Sequence, residues 1–381
     1  MKIPLADVST TESEISQVRD ALNRGMISGT GPHVKLFEDL LSQTVGRKYA
    51  LATNSGTMAL VVLLQALGIG SGDKVLVSSF TFVAPAAACR LVGATPVLVD
   101  IDKESWTIDP KKAEEVIHRL DGKVKAIISV DFSGHPANYD ALYNLCQKFG
   151  LLLVEDAAQA HGSKFRSKGK ELLQTSCGSF GHGSIFSFFA NKTITCGEGG
   201  AILVDDEALA NECRLIMNHG MDARMPYHHT RIGRNGRLGN LQAAFGCGQM
   251  FRWAELITGK VNTIAHYINK LSGLPGLLPR TTSTSYDIDM VPWLMTLFVD
   301  AETAGMSARQ LTWRLQERGI DSRMTFSPLH HPPQNHFYGG GNLHVAEHIS
   351  ENTLWLPTHQ LMSEEIIDHV CQQIREILIN G

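Results

Sequence analysis

Short apolar runs alternate with segments of helical character along much of this chain, and this alternation limits the possible folds more than any other feature. The apolar runs cover residues 50–54, 74–78, 96–100, 125–130 and 151–155. The helical segments between them include residues 58–67, 85–91 and 138–149. Such alternation predicts a mainly parallel sheet covered by helices on both faces, and therefore an α/β fold. Ligands of these sheets bind at the carboxyl ends of the strands.

The chain is long enough for one large domain and a smaller one. Its 381 residues are 43% hydrophobic and 19% charged, which is typical of a globular protein. From about Gly239 the pattern becomes helical over residues 240–270, and a stretch with proline and glycine at 274–280 leads into a shorter α+β segment. We therefore predict a large domain over residues 1–250 and a small C-terminal domain over residues 251–381.

Charge and hydropathy exclude several classes of partner. The formal net charge is −4 without a broad basic region, so neither nucleic acid nor an anionic membrane is expected as a partner. No apolar stretch is long enough to cross a bilayer, and the N-terminus lacks the core of a signal peptide, so a cytoplasmic protein is expected. The seven cysteines form no C-x-x-C pair, which favours buried reduced thiols, and no metal site is predicted.

Two strand ends carry residues suited to a charged ligand. Ser55-Gly56-Thr57 opens a predicted helix, where free backbone N–H groups and the helix dipole favour an anion such as phosphate. The same three residues are also an ordinary N-cap. Asp156 follows an apolar strand, so its carboxylate is expected where the sheet ends, although it could instead cap the next helix.

Lys192 lies between apolar residues and a glycine-rich turn, in the segment Ser-Phe-Phe-Ala-Asn-Lys-Thr-Ile-Thr-Cys-Gly-Glu-Gly-Gly (187–200). A lysine amine condenses with an aldehyde to form a Schiff base, so Lys192 is a candidate carrier of pyridoxal 5'-phosphate (PLP). Asp156 would then hydrogen-bond the protonated pyridine nitrogen and preserve the positive ring. The alternative for Lys192 is a solvated surface lysine.

Eight short motifs occur in a fixed order along nearly the whole chain. They are Thr-Asn-Ser-Gly-Thr (53–57), Thr-Phe-Val-Ala (81–84), Gly-Ala-Thr-Pro-Val (93–97), Glu-Asp-Ala-Ala-Gln-Ala-His-Gly (155–162), Ser-Phe-Phe-Ala-Asn-Lys (187–192), Gly-Glu-Gly-Gly (197–200), Asn-His-Gly (218–220) and Asn-Leu-Gln-Ala-Ala (240–244). In this order and spacing they resemble the DegT/DnrJ/EryC1/StrS family of PLP-dependent sugar aminotransferases. The resemblance implies the aspartate aminotransferase-like fold of fold type I PLP enzymes.

The resemblance also implies roles for particular residues. Lys192 corresponds to the lysine that binds PLP and moves the proton, and Asp156 to the partner of the pyridine nitrogen. The other implied cofactor contacts are the phosphate-binding residues, the residue near the phenolic oxygen and the aromatic residue against the ring, namely Gly56, Thr57, Ser187, Gln159 and Phe82. Without the resemblance, Phe82 would be read as a core residue.

The resemblance implies one contact between subunits, and two basic residues suggest contacts with the substrate. Asn235, in Gly-Arg-Asn-Gly-Arg (233–237), corresponds to the asparagine that reaches the phosphate of the neighbouring subunit, which implies a homodimer with shared active sites. Arg237 and His330 are candidate contacts for the sugar diphosphate, although such an arginine can equally be a surface charge in a dimer interface. Gly236 and Gly239 stand where the family commonly has larger residues, so the substrate mouth is expected to differ.

The implied reaction is amino transfer from L-glutamate to a nucleotide-linked keto sugar, with PLP converted to pyridoxamine phosphate (PMP) and back. Lysine at position 192 favours transamination, because the dehydratases of the family have histidine there. The motifs are most similar to enzymes that act on 4-keto-6-deoxy sugars, of the perosamine synthase type. Two alternatives stay open: another fold type I PLP enzyme, such as a lyase or a desulfurase using Cys196, and a non-catalytic PLP-sensing regulatory protein.

Overall fold

The computed structural model describes residues 2–121, 123–167, 174–222, 224–280, 284–331, 338–339 and 341–379. The helices are α1 Glu12–Asn23, α2 Pro32–Val45, α3 Gly56–Ala66, α4 Ala84–Leu91, α5 Pro110–Arg119, α6 Tyr139–Phe149, α7 Glu207–Met217, α8 Asn240–Phe251, α9 Trp253–Leu271, α10 Ala301–Ala304, α11 Ala308–Glu317, α12 His344–Asn352 and α13 Glu364–Ile379. The strands are β1 Tyr49–Thr53, β2 Lys74–Ser78, β3 Thr95–Val99, β4 Ala126–Val130, β5 Leu152–Asp156, β6 Lys164–Arg166, β7 Gln174–Ser176, β8 Gly183–Ser187, β9 Gly200–Val204, β10 Leu277–Pro279, β11 Asp287–Asp289, β12 Met295–Val299, β13 Arg323–Met324, β14 Tyr338–Gly339 and β15 Thr353–Leu356.

The central sheet has the strand order β1-β9-β8-β5-β4-β2-β3-β14. Its strands from β8 to β14 run parallel, and only the pairs of β9 with β8 and with β1 are antiparallel. This confirms the predicted mainly parallel sheet. Because β5 and β8 are parallel neighbours, with Asp156 opposite Ile185, they end at the same edge of the sheet.

Helices cover both faces of this sheet because its strands are apolar on both sides. Along β2, Leu76 packs in the cluster formed with α2, α5 and α6, whereas Val75 and Val77 pack in the cluster formed with α3, α4 and α7. Successive side chains of a strand point to opposite faces, so a strand buried on both faces needs a continuous apolar run. The apolar runs seen in the sequence meet this requirement.

The C-terminal part forms a second layer around the antiparallel sheet β10-β12-β15-β13, with α9, α11 and α13 in its core. Ile3 from the N-terminus also packs in this core, and its N–H donates to the carbonyl of Gly319 at 2.8 Å. The predicted helix over 240–270 is two helices, because the backbone of Arg252 leaves the helical conformation between α8 and α9. The division into residues 1–250 and 251–381 stays a prediction.

All seven cysteines are buried and unpaired, as their spacing predicts. Among the described residues, no helix combines the length and the apolar character that crossing a bilayer requires.

Candidate active site

A cavity of about 280 Å³ opens at the edge where β5 and β8 end. It brings together residues from the start of α3, from the end of each of these strands and from the C-terminal part of the chain. The predicted site residues that line it are Gly56, Thr57, Phe82, Asp156, Gln159, Ser187 and Lys192. Residues more than a hundred positions apart in sequence therefore meet in one place, as expected for the carboxyl edge of a parallel sheet.

The start of α3 lies at one end of the cavity. Ser55 is the N-cap, and its Oγ accepts a hydrogen bond from the N–H of Met58 at 3.1 Å. The preceding N–H groups, those of Gly56 and Thr57, have no partner in the helix, as is general for a first helical turn. A Cβ at Gly56 would lie 2.9 Å from the Cβ of Ser187, so glycine lets α3 approach the end of β8. The cap uses only the N–H of Met58, so the same turn can act as an N-cap and still bind a phosphate through the other N–H groups.

Gly200 allows the start of α3 to lie close to the sheet, because it has no side chain. An added Cβ at Gly200 would lie 2.4 Å from the carbonyl carbon of Ser55 and 2.5 Å from the nitrogen of Gly56, which are backbone atoms that cannot move aside separately. We expect Gly200→Ala to lower the free energy of unfolding by about 1–3 kcal/mol. It should also weaken PLP binding by at least about tenfold, because the first turn of α3 would be displaced.

A matched control for this change is Gly259→Ala. Gly259 lies inside α9, where an added Cβ would meet no atom within 4 Å, so alanine there should raise stability by about 0.5–1 kcal/mol. Urea unfolding of the apoproteins and titration with PLP measure both quantities. If Gly200→Ala binds PLP as tightly as the Gly259→Ala protein does, the first turn of α3 does not hold the phosphate.

Asp156 is a buried carboxylate with one oxygen that accepts no hydrogen bond from the described residues. Its Oδ1 accepts a hydrogen bond from the N–H of Ala158 at 3.0 Å, and its Oδ2 makes no hydrogen bond with any described residue. Burial raises the pKa of Asp156 to about 6, against the lowering effects of the Ala158 N–H and of Lys192. The residues after Asp156 form a turn rather than a helix, so it is not a helix cap. A buried carboxylate that lacks a partner fits the protonated nitrogen of a pyridine ring.

Lys192 lies in a tight turn, where its N–H donates to the carbonyl of Phe189 at 2.9 Å. Its ammonium is 3.9 Å from the centroid of the Trp293 ring. Burial lowers the pKa of Lys192 to about 8, and the negative charge of Asp156 opposes this shift. Much more of the amine is therefore neutral at physiological pH than in an exposed lysine, and only the neutral amine attacks an aldehyde. This environment is not that of a solvated surface lysine.

Gln159 and Phe82 complete the part of the cavity predicted from the sequence. The side-chain Oε1 of Gln159 accepts a hydrogen bond from the N–H of Ser133 at 2.8 Å, which orients its Nε2 as the free donor. Phe82 is 52% exposed and its ring lies 5.7 Å from that of Phe326, so it is not a core residue. The phosphate end, the carboxylate, the lysine and the amide donor together fit the polar groups of PLP.

Three predicted residues lie outside the lining of this cavity. The carbonyl of Asn235 accepts a hydrogen bond from Asn54, and the Arg237 guanidinium donates to Asn218 Oδ1. His330 Nε2 contacts a carboxylate oxygen of Glu347 at 3.0 Å. Asn235 and Arg237 were assigned to contacts that involve a second subunit or the sugar diphosphate, so their roles stay predictions.

Besides Phe189, which lies in the same motif as Lys192, sequence reasoning assigned no role to two further aromatic residues of the cavity lining, Trp293 and Phe326. Both come from the C-terminal part of the chain, where Trp293 precedes β12 and Phe326 follows β13. Trp293 is 4% exposed, and its ring packs against those of Phe326 and Trp355. In the sequence, both are indistinguishable from ordinary core residues.

His161 anchors the segment that follows Lys192. Its Nδ1 accepts a hydrogen bond from the N–H of Ile194 at 3.2 Å, so the ring is neutral with the proton on Nε2. Burial lowers the pKa of His161 to about 3. Since an unfolded chain has a histidine pKa near 6.5, this group contributes full stability above about pH 6.5 and loses it as the pH falls towards 3.

We therefore expect His161→Asn to make stability less sensitive to acid. Between pH 6.5 and 5 the wild-type protein should lose about 2 kcal/mol more than the variant, which corresponds to about 1.4 kcal/mol per pH unit for one histidine. Urea unfolding of both apoproteins at these two pH values measures the difference. Equal losses in the two proteins would show that folding does not lower the pKa of His161.

Comparison with known proteins agrees with this geometry. The model of the DegT/DnrJ/EryC1/StrS aminotransferase family matches residues 8–375. The chain belongs to this family. GDP-perosamine synthase from Caulobacter vibrioides is 34% identical over 380 residues, which cover 99% of each chain.

Solved structures of similar proteins have the same fold, which confirms the predicted fold type I class. DesV from S. venezuelae is 30% identical with a TM-score of 0.88, and 99% of this chain and 98% of that one are covered. Spr1654 from Streptococcus pneumoniae, in its PMP form, is 26% identical with a TM-score of 0.89, and 100% and 98% of the two chains are covered. The protein is a PLP-dependent sugar aminotransferase, and no comparison supports the lyase, desulfurase or regulatory alternatives.

Proposed function

We propose that the protein transfers the amino group of L-glutamate to a nucleotide-linked keto sugar, a 4-keto-6-deoxy sugar, to form an amino sugar. The observation that carries this proposal is the convergence of Lys192, the unpaired Oδ2 of Asp156 and the first turn of α3 in one cavity. The similarity to GDP-perosamine synthases supports the sugar class. The product would serve surface polysaccharide synthesis, such as that of lipopolysaccharide O-antigen, or secondary metabolism.

Different residues of this chain have different roles in amino transfer. When bound, PLP supplies an aldehyde that carries the amino group and a ring that accepts electrons from the broken C–H bond. Lys192 Nζ would take the proton from the α-carbon of the donor and give it to the former aldehyde carbon of PLP. Its pKa of about 8 suits both tasks. Asp156 keeps the ring nitrogen protonated, because an ion pair in a buried site favours both charges.

The remaining groups would orient the cofactor and shield the reacting atoms from water. The free N–H groups of Gly56 and Thr57 would hold the phosphate, and Gln159 Nε2 would donate a hydrogen bond to the phenolic oxygen of the ring. The aromatic side chains of Phe82 and Trp293 exclude water from the reacting atoms, which strengthens the electrostatic interactions of the site.

We also infer a homodimer with shared active sites, located in the cytoplasm, where nucleotide sugars are formed. The segment that leads to Asn235 carries apolar side chains with high exposure in a single chain: Tyr227 is 89% exposed and Ile232 is 86% exposed. Exposed apolar patches mark surfaces for association. In this arrangement Asn235 reaches the phosphate of the neighbouring subunit, and Arg237 and His330 contact the sugar diphosphate.

The first experiment is a half-reaction. Purified protein loaded with PLP is mixed with L-glutamate, and the visible absorption of bound PLP and the 2-oxoglutarate formed are recorded together. Loss of the band with one equivalent of 2-oxoglutarate per site is expected, and a nucleotide-linked 4-keto-6-deoxy sugar should then restore the band. A band that L-glutamate leaves unchanged would contradict the proposed donor.

Shared sites can be tested by mixing two defective variants. Lys192→Ala and Asn235→Ala are each expected to have little activity, but a mixed dimer would contain one site with both native residues. After subunit exchange, activity should return to about a quarter of the wild-type value, because half of the dimers are mixed and each has one complete site. No recovery on mixing, with exchange confirmed by native mass spectrometry, would show that each site is built from one chain.

A further inference from the structure

We propose that Trp293 is a positioning residue that holds the amine of Lys192 whenever that amine is not bonded to the cofactor. The inference rests on the proposed function, because it concerns the lysine that moves the proton. Lys192 Nζ lies over the face of the Trp293 indole, 3.9 Å from the ring centroid. Tryptophan is the strongest of the aromatic side chains in binding a cation over its face.

The indole is held rigidly at this position. Its Nε1–H donates to the carbonyl of Asn191 at 2.9 Å, so the ring is tied to the residue that precedes the lysine. The N–H of Trp293 donates to the carbonyl of Ser133 at 3.2 Å. The ring also packs against Phe326 and, edge to face, against Trp355 with centroids 5.3 Å apart. The ring face is therefore present before the amine is released and does not have to form afterwards.

Trp293 affects the charge of the Lys192 amine as well as its position. Burial favours the neutral amine of Lys192, whereas the ring face and the Asp156 carboxylate favour the ammonium. The other charged or titratable groups near this amine are His161, which is neutral, and Glu198, which lies on the exposed rim of the cavity. Trp293 thus keeps Lys192 able to accept a proton and to give it back, which a catalyst of proton transfer requires.

The position of Trp293 in the chain gives this contact a structural consequence. Trp293 is 101 positions from Lys192 and lies two residues before β12 of the C-terminal sheet. The packing of the C-terminal part against the central sheet therefore sets the place of the lysine amine. A lysine side chain has four rotatable bonds, so an amine released into an open cavity would otherwise sample many positions.

The test uses the apoprotein, in which the amine is free, and needs no substrate. Acetic anhydride acetylates only neutral amines, so the rate of acetylation of the Lys192 peptide against pH, followed by mass spectrometry, gives the titration of this amine. We expect a midpoint near pH 8 in the wild-type protein. Trp293→Phe should move the midpoint down by about 0.5–1 pH unit, because phenylalanine binds a cation less strongly.

Trp355→Phe is the matched control. Trp355 belongs to the same aromatic cluster, touches Trp293 and is equally buried, but it does not line the cavity. It should lower the melting temperature as Trp293→Phe does and leave the Lys192 midpoint unchanged. If both variants shift the midpoint equally, or if Trp293→Phe does not lower it, the proposal is wrong. Trp293→Tyr, which keeps a stronger ring face, replaces Trp293→Phe if that variant does not fold.

A kinetic measurement separates positioning from a purely structural role. In single turnover of the PLP-loaded protein with L-glutamate, Trp293→Phe should slow proton transfer by about 3- to 10-fold. The concentration of L-glutamate that gives half of the maximal rate should stay unchanged. Because the acetylation experiment involves neither donor nor sugar, it can succeed even if the proposed donor and sugar are wrong, and the two failures are distinguishable.

Discussion

Replacing Lys192 with alanine should reduce amino transfer by at least about 10³-fold. The variant loses the amine assigned to bind the aldehyde of PLP, which is also the only amine among the described residues that line the cavity. The measurement is 2-oxoglutarate formed from L-glutamate in single turnover. The visible band of bound PLP should also change, because the ring can be retained only by the phosphate end and by Asp156.

The exposed Lys35 supplies the control for this substitution. It pairs with Asp39 on the surface of α2, and Lys35→Ala should leave both the absorption band and the turnover unchanged. The melting temperature of apo Lys192→Ala should be equal to or above that of the wild-type protein, since removing a buried amine relieves its desolvation. Turnover within tenfold of the wild-type rate in Lys192→Ala would remove this residue from its assigned role.

The second large effect is expected for Asp156→Asn, which should lower the rate of the L-glutamate half-reaction by about 10²-fold or more. Asparagine has nearly the same shape but carries no charge, so the ring nitrogen would no longer be held protonated. The loss of the carboxylate should also lower the pKa of Lys192 further below 8, because Asp156 is the group that opposes the effect of burial. Single-turnover rates and acetylation of Lys192 in the apoprotein measure the two effects.

The same substitution should stabilise the apoprotein. Burial raises the pKa of Asp156 to about 6, above its value near 3.9 in an unfolded chain. Folding then opposes ionisation, so the penalty is absent below about pH 4, grows between pH 4 and 6, and is complete above pH 6. Asp156→Asn should therefore raise the free energy of unfolding at pH 7 by about 2–3 kcal/mol.

Urea unfolding of the apoproteins at pH 7 and pH 4 tests this stability effect, with the exposed Asp39→Asn as the control. The stabilisation by Asp156→Asn should be present at pH 7 and nearly absent at pH 4, whereas Asp39→Asn should show no gain at either pH. A variant that loses activity without gaining stability would mean that Asp156 already has a partner for its charge in the apoprotein. A gain in stability together with a loss of activity is the pattern expected of a site that is held ready for a cation.

Much of the large domain was predictable because its signals are local. The strand predicted over residues 74–78 has the same bounds as β2 in the structure. Its central residues 75–77 are all apolar, as a strand buried on both faces requires. The predicted helix over 138–149 corresponds to α6, with Asn138 as its N-cap and Gly150 as its left-handed C-cap. By contrast, the break at Arg252 between α8 and α9 carries neither proline nor glycine, so the helical pattern there was read as continuous.

The candidate site was predictable to the extent that its residues lie at strand ends or in the family motifs. Asp156 and Ser187 end neighbouring parallel strands, which explains why motifs 31 residues apart meet. Trp293 and Phe326 were missed because nothing local distinguishes an aromatic residue that lines a cavity from one that fills a core. The assignment of Asn235 depends on a second copy of the chain and that of Arg237 on a bound sugar diphosphate, so both stay predictions.

The sequence alone established the fold class, the family and the choice of Lys192 as the candidate reactive lysine. These follow from hydrophobic periodicity, helix capping and motif order, which are properties of neighbouring residues along the chain. Only the tertiary structure decided the state of that lysine, whose pKa depends on burial and on Asp156, and which lies against a ring 101 positions away. Charge and contact depend on distance in space, and distance in space exists only after the C-terminal part has packed against the sheet.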